Sequence, residues 1–251
     1  MKVLITEIIA HRGASKIAPE NTMFAFELAY MLGAEGIETD VQLTKDNIPV
    51  LIHDESLRRT TNGKGYVKDY TYKELQSLDA GSWFSSDFCS ARIITLEDFL
   101  VWIKPKNLTI NLELKNNKID YINLESIVYR MLKEHCLEKR TTISTFNPTS
   151  VKRLKKYQNE IGVALLTSRQ NPNLVEYAKS LGANALHIKY RLVNRSLITE
   201  AHANTMAVRV YTVNRYRQMI NCFHEACDGI FTDVPYKAVT LRKVFQYKRQ
   251  L

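Results

Sequence analysis

Short apolar runs recur along the chain, separated by longer amphipathic stretches. The runs at 3–10, 36–43, 48–52, 108–114, 141–145, 161–166, 184–188, 206–212 and 228–232 are rich in Ile, Val and Leu. That is the composition of strands buried on both faces. Between them the spacing predicts helices over 21–33, 120–135, 148–157, 171–181, 194–203, 214–224 and 235–247. Asn147 before Pro148 pairs a capping side chain with a proline at the first helical position, and Gly33 and Gly182 stand where helices stop. Strands alternating with helices build right-handed βαβ units on a parallel sheet. About eight such units in a chain of this length is the size of a (β/α)8 TIM barrel, the α/β fold class expected here. A doubly wound open sheet is the runner-up, but no G-x-G-x-x-G turn is present.

Residues 54–106 break the rhythm. Thr60-Thr61-Asn62-Gly63-Lys64-Gly65 and Asp79-Ala80-Gly81-Ser82-Trp83-Phe84 combine turn formers with aromatic residues. We expect a single barrel domain over 1–251, with 54–106 as an insertion subdomain over the barrel mouth.

Two of the predicted strands carry a polar face. Ile37, Thr39, Val41 and Leu43 alternate with Glu38, Asp40 and Gln42, while Leu108, Ile110, Leu112 and Leu114 alternate with Asn111, Glu113 and Lys115. In a barrel the apolar face packs under the helices and the polar face points inward, toward the open C-terminal mouth. Glu38, Asp40 and Glu113 would then converge. Three crowded carboxylates cannot all stay ionised without compensation, and an all-oxygen site suits a hard divalent cation such as Mg2+ or Ca2+. The competing reading of the same residues is ordinary pairing with Arg12 and Lys115. His11 ends the first run and His53 follows the run at 48–52. Both are expected at C-terminal ends of parallel strands, where barrel enzymes keep their catalytic groups. Imidazoles titrate near neutrality, so a pair can donate and accept a proton in one cycle. Structural, hydrogen-bonded histidines are the alternative.

Composition narrows the classes. Of 251 residues 45% are hydrophobic and 24% charged, which excludes a disordered chain. Only 9 Gly, 6 Pro and 4 Cys are present, which excludes collagen-like and disulfide-scaffold proteins. No apolar run approaches the ~18 residues of a bilayer span, and the first residues lack the apolar core of a secretory signal. A cytoplasmic protein with reduced cysteines is expected. The formal net charge of +9 is uneven: 14 basic and 18 acidic residues lie in 1–125, against 21 and 8 in 126–251. The basic half admits weak association with an anionic membrane surface, or solvated helix faces. No nucleic-acid motif is present, and an acidic mouth repels a polyanion. HExxH and G-x-S-x-G are also absent.

Five segments, His11-Arg12-Gly13-Ala14-Ser15, Pro19-Glu20-Asn21-Thr22, Glu38-Thr39-Asp40-Val41, Val50-Leu51-Ile52-His53-Asp54 and Leu112-Glu113-Leu114-Lys115, resemble in order the glycerophosphodiester phosphodiesterases. The two turn-rich stretches resemble that family's insertion. Ser144-Thr145-Phe146, Tyr211-Thr212-Val213-Asn214 and Asp228-Gly229-Ile230-Phe231-Thr232-Asp233-Val234-Pro235 continue the match. The resemblance implies a (β/α)8 barrel with a small insertion after the second barrel strand, so that 36–52 is one strand region with its extension. It implies His11 and His53 as an acid–base pair, Glu38, Asp40 and Glu113 as metal ligands, and Arg12 and Lys115 as phosphate-contacting cations. Phe84, Phe146 and Tyr211 are expected to bind substrate at the mouth, with core or lid packing the alternative for Phe84 and Phe146. The implied reaction takes a small-molecule glycerophosphodiester and water to sn-glycerol 3-phosphate and an alcohol, in a monomer or homodimer. Lysophospholipase D-type hydrolysis is the alternative enzyme reading, and a non-catalytic basic binding protein the distant one. Lys16, Tyr211 and His187-Ile188-Lys189-Tyr190 depart from the family's usual residues and bear on substrate choice.

Overall fold

Strand β1 (Glu7–His11) pairs in parallel with β2 (Gly36–Leu43) on one side and with the last strand of the chain on the other. The computed structural model describes residues 5–247. Within it β3 (Pro49–Leu51) returns antiparallel along β2, with Val41 opposite Leu51. Then β4 (Thr109–Leu114), β5 (Thr141–Thr145), β6 (Gly162–Thr167), β7 (Ala185–Lys189), β8 (Ala207–Tyr211) and β9 (Gly229–Thr232) follow. From β2 through β4 to β9 each strand pairs in parallel with the next, and β9 pairs with β1. Eight parallel strands therefore close a barrel, and β3 is a hairpin arm on one of them. The expected (β/α)8 fold is the observed one. The predicted start of the first strand at residue 3 lies outside the described residues.

One expectation changes at β3. His53 does not end a parallel strand; it is carried back to the mouth by the hairpin. The reversal is built by local turn chemistry. Thr44 Oγ1 accepts from Ile48 N at 2.9 Å, and Asn47 takes the left-handed conformation (φ 61°) that an Asx residue tolerates. Gln42, wholly buried, pins the returning chain: its Nε2 donates to the carbonyls of Ile52 (3.0 Å), His53 (3.2 Å) and Asp54 (2.8 Å).

Helices α1 (Met23–Met31), α2 (Tyr72–Leu75), α3 (Leu96–Ile103), α4 (Leu124–Glu134), α5 (Pro148–Leu154), α6 (Leu174–Leu181), α7 (Arg195–Ala203), α8 (Tyr216–His224) and α9 (Pro235–Tyr247) complete the fold. Asn147 caps α5 as its sequence predicts, accepting from Thr149 N at 2.9 Å. The segment 54–106 divides in two. Residues Leu57, Val67, Leu75, Ala80 and Ile93 close with Val50 and Ile52 on a small core of their own. By contrast α3 sends Leu96, Phe99, Leu100 and Ile103 into the main barrel core, with Phe99 edge-on to Phe26 at 5.0 Å. It therefore serves as the helix between the second and third parallel strands. Its N-terminus is fixed by a capping box between Thr95 and Asp98. The barrel is tied shut from outside by Arg242 of α9, whose guanidinium grips both oxygens of Glu35 (2.5 and 2.6 Å) and the Thr6 carbonyl (2.7 Å). Among the described residues no helix is long and apolar enough to cross a membrane.

Candidate active site

The chain leaves β1 through two consecutive left-handed residues, Arg12 (φ 58°) and Gly13 (φ 83°). A Cβ at Gly13 would lie 2.6 Å from the Ala25 backbone, so only glycine allows α1 to approach the turn this closely. The turn aims Arg12 N at Glu38, where it donates to the carbonyl O (3.0 Å) and to Oε2 (2.9 Å). The Arg12 side chain donates from Nη1 to Glu20 (2.9 Å), and its Nε lies 3.1 Å from Asp40 Oδ2, an ion pair without hydrogen-bond alignment. A bulky residue with positive φ is uncommon and is held here by these contacts. Asn21 donates to Asp40 Oδ2 at 2.9 Å and accepts from Thr39 Oγ1 at 2.8 Å.

Asp40 of β2 stands opposite Glu113 of β4 in the parallel register, and Glu38 lies two residues earlier on the same face. One carboxylate oxygen from each of Glu38, Asp40 and Glu113 lies within 4.8 Å of the others. Glu38 is 3% exposed and Asp40 is fully buried, and among the described residues Glu38 Oε1 and Asp40 Oδ1 accept no hydrogen bond. Lys115 donates to Glu113 Oε1 at 2.7 Å and stands 3.7 Å from Asp40 Oδ1. The charges split this cluster. Burial favours the protonated form of both β2 carboxyls. At Glu38 the neighbouring Asp40 and Glu113 charges add to burial and push its pKa well above the usual range. At Asp40 burial is overcome by Arg12 and Lys115, and the group stays ionised well below that range. Two buried, unshared oxygens on converging carboxylates, one of them driven toward protonation by crowding, are the donor set a hard divalent cation fits.

Both histidines are fixed by a carboxylate at Nδ1. His11 Nδ1 lies 2.7 Å from Asp233 Oδ1, and Asp233 also accepts from Asn214 Nδ2 (2.6 Å) and Ser15 Oγ (3.2 Å). His53 Nδ1 lies 2.6 Å from Asp54 Oδ1. Asp54 takes Arg59 Nε at 2.6 Å, Arg59 forks onto Glu20, and Glu20 closes the circuit on Arg12. Burial raises the Asp233 pKa, but the His11, Asn214 and Ser15 contacts outweigh it, so the carboxylate stays ionised. Asp54, despite partial burial, is lowered to about 2 by Arg59 and His53. An ionised carboxylate only accepts, so Nδ1 carries the hydrogen in each ring and Nε2 is the nitrogen that no carboxylate engages.

His11, His53, Arg12, Glu38, Glu113 and Lys115 line one cavity of about 260 Å3, with Phe146 and Tyr211 on its wall. These two rings meet edge-on at 5.9 Å. The structure thus brings together every sequence-identified site residue except Phe84. Phe84 is absent from the cavity wall and stacks edge-on with Trp83 and Phe88, both at 5.7 Å, within an aromatic cluster of the insertion. Sequence reasoning missed Asp233, Asp54, Arg59 and Glu20. Asp54 carried a signal, being adjacent to His53; Asp233 sits 222 residues from its partner and carried none as a partner of His11.

The arrangement can bind an anion between cations and move protons from two directions. Residues 11–237 match the glycerophosphoryl diester phosphodiesterase family. A glycerophosphodiester phosphodiesterase of Bacillus altitudinis is 40% identical over 95% of this chain and 99% of its own length. One from Caldanaerobacter subterraneus subsp. tengcongensis is 39% identical, covering 94% and 97%. A phosphodiesterase of Oleispira antarctica, solved in complex with the product sn-glycerol-3-phosphate, superposes with a TM-score of 0.87 at 30% identity, covering 95% of this chain and 97% of that one. The chain therefore belongs to the glycerophosphoryl diester phosphodiesterase family and is a phosphoric diester hydrolase.

Proposed function

We propose that the protein hydrolyses glycerophosphodiesters to sn-glycerol 3-phosphate and an alcohol, using His11 and His53 as an acid–base pair and Mg2+ or Ca2+ held by Glu38, Asp40 and Glu113. The observation that carries this reading is the opening of two carboxylate-fixed imidazoles onto a single cavity that is also lined by Glu38 and Glu113, on which Asp40 converges. The cation, when bound, supplies electrophilic polarisation of the phosphoryl group. Lys115 and Arg12 line the same cavity and neutralise charge that builds on the phosphoryl oxygens. In-line displacement needs a base on one side of phosphorus and an acid on the other. One imidazole, neutral, takes the proton of the attacking oxygen at Nε2, and the other, starting as the imidazolium, gives its Nε2 proton to the departing alcohol. Asp233 and Asp54 keep each ring in the Nδ1–H form and stabilise it when it becomes charged.

The experiment that tests the reading offers glycerophosphocholine, glycerophosphoethanolamine and glycerophosphoinositol to the purified protein and follows the products. Release of sn-glycerol 3-phosphate with free choline, ethanolamine or inositol is expected. Release of phosphocholine with glycerol would place cleavage on the other ester bond and overturn it. A second substrate class has one observation in its favour. A groove lined by Pro148, Leu165, Leu174 and Tyr177 on one side and by Arg169, Gln170 and Asn171 on the other shares Phe146 and Leu166 with the cavity, and a lysophospholipid chain would leave the site along it. Lysophosphatidylcholine turnover in the same assay decides it.

Asp233→Asn is expected to lower kcat by about 10–10³-fold with little change in KM. The amide can still bond to the ring but favours the wrong tautomer and removes the charge. Steady-state kinetics check this; a change confined to KM would assign Asp233 to substrate binding instead.

A further inference from the structure

The inward face of β7 carries a group that neither proton transfer nor cation binding uses. His187 is fully buried, yet it lies in the wall of the cavity shared by His11, His53 and Lys115. Neither Nδ1 nor Nε2 has a hydrogen-bond partner among the described residues. The alternation of β7 explains the position: Leu186 and Ile188 face the outer core, and His187 faces inward. Phe231 of β9 meets the ring edge-on at 4.9 Å, and Arg209 is its register neighbour on β8. Burial, and then the Arg209 charge, hold the imidazole neutral, far below its ordinary pKa. A neutral imidazole offers one N–H donor and one lone pair. Buried polar groups are nearly always partnered, so such a ring persists in a cavity wall where a ligand completes it. It does not complement a phosphate by charge. A hydroxyl, which both donates and accepts, is its match.

We propose that His187 is a specificity-determining residue that hydrogen-bonds a hydroxyl of the substrate's glycerol moiety. The assignment rests on the hydrolase reading above and goes beyond it by naming what distinguishes a glycerol diester from a simple alkyl one. A site built to bond a hydroxyl rejects the analogue lacking it, because its own polar groups are then left unpaired.

The test is calorimetric binding of sn-glycerol 3-phosphate and of propyl phosphate, the same anion without hydroxyls, to protein supplied with Mg2+. The wild type is expected to prefer sn-glycerol 3-phosphate. His187→Leu should weaken that ligand by about 10–100-fold, the cost of leaving a hydroxyl unpaired, and leave propyl phosphate within about threefold. His187→Gln, which keeps a donor and an acceptor, should recover part of the preference. Equal weakening of both ligands in both variants would make the ring a shape-holding element and overturn the proposal. Unchanged binding would overturn it too. If the wild type binds neither ligand and releases no glycerol 3-phosphate from glycerophosphodiesters, the substrate class itself fails and this assignment falls with it.

Discussion

His11→Ala and His53→Ala should each lower kcat by about 10²–10⁴-fold, the usual worth of a positioned proton-transfer group. Both variants should keep thermal unfolding midpoints close to the wild type. The reason lies in what each ring holds together. His11 contacts Asp233, which remains bonded to Asn214 and Ser15 after the ring is gone. His53 contacts Asp54, which remains bonded to Arg59. Neither ring belongs to the apolar core, so little buried surface is lost. The double variant should fall well short of the product of the single effects, because the two groups act in one transition state. The wild-type pH–rate profile should be bell-shaped, with each single variant losing one limb. Near-normal turnover in either purified variant would remove that histidine from the chemistry.

Stripping divalent cations with a chelator should lower turnover by about 10³-fold or more, since electrophilic charge stabilisation is worth several kcal/mol. Added Mg2+ or Ca2+ should restore it. Asp40→Asn should abolish the restoration, and its consequences extend past the cation. Asp40 is the shared counter-charge of Arg12 (3.1 Å) and Lys115 (3.7 Å) and the acceptor of Asn21. Removing the charge leaves Arg12 with Glu20 and Lys115 with Glu113 but takes a shared counter-charge from two largely buried cations, and the variant should also unfold at lower denaturant. Full activity in chelator, confirmed metal-free by elemental analysis, would mean that the acidic cluster only positions Arg12 and Lys115.

The barrel is legible because its strands are short Ile/Val/Leu runs at regular spacing, and the β2 and β4 alternation marks the inward carboxylates. The direction of β3 was not legible in that pattern. A run of apolar residues reads alike in either direction, and only the Thr44–Asn47 turn reverses it. The partner of His53 is its own neighbour in the chain, whereas the partner of His11 depends on β9 docking against β1, a long-range closure that no local periodicity encodes. Phe84 reads equally as a mouth or a packing residue because aromatic side chains in an insertion carry no periodic mark of direction. Its ring satisfies Trp83 and Phe88 instead. The α3 helix was hidden for a related reason: its apolar spacing follows directly on a stretch of turns and was absorbed into it.

The bond between His11 and Asp233 joins the first strand of the barrel to the residue that follows the last. During synthesis the N-terminal end leaves the ribosome first, so the ring at the end of β1 waits for its anchor until translation has passed β9. A product that ends before Asp233 lacks the group that sets that ring's tautomer, and one that ends before β9 also leaves the barrel open, so such chains should be inert toward phosphodiesters. Chemical competence in this enzyme is thereby a report that the first and last strands of the barrel have met.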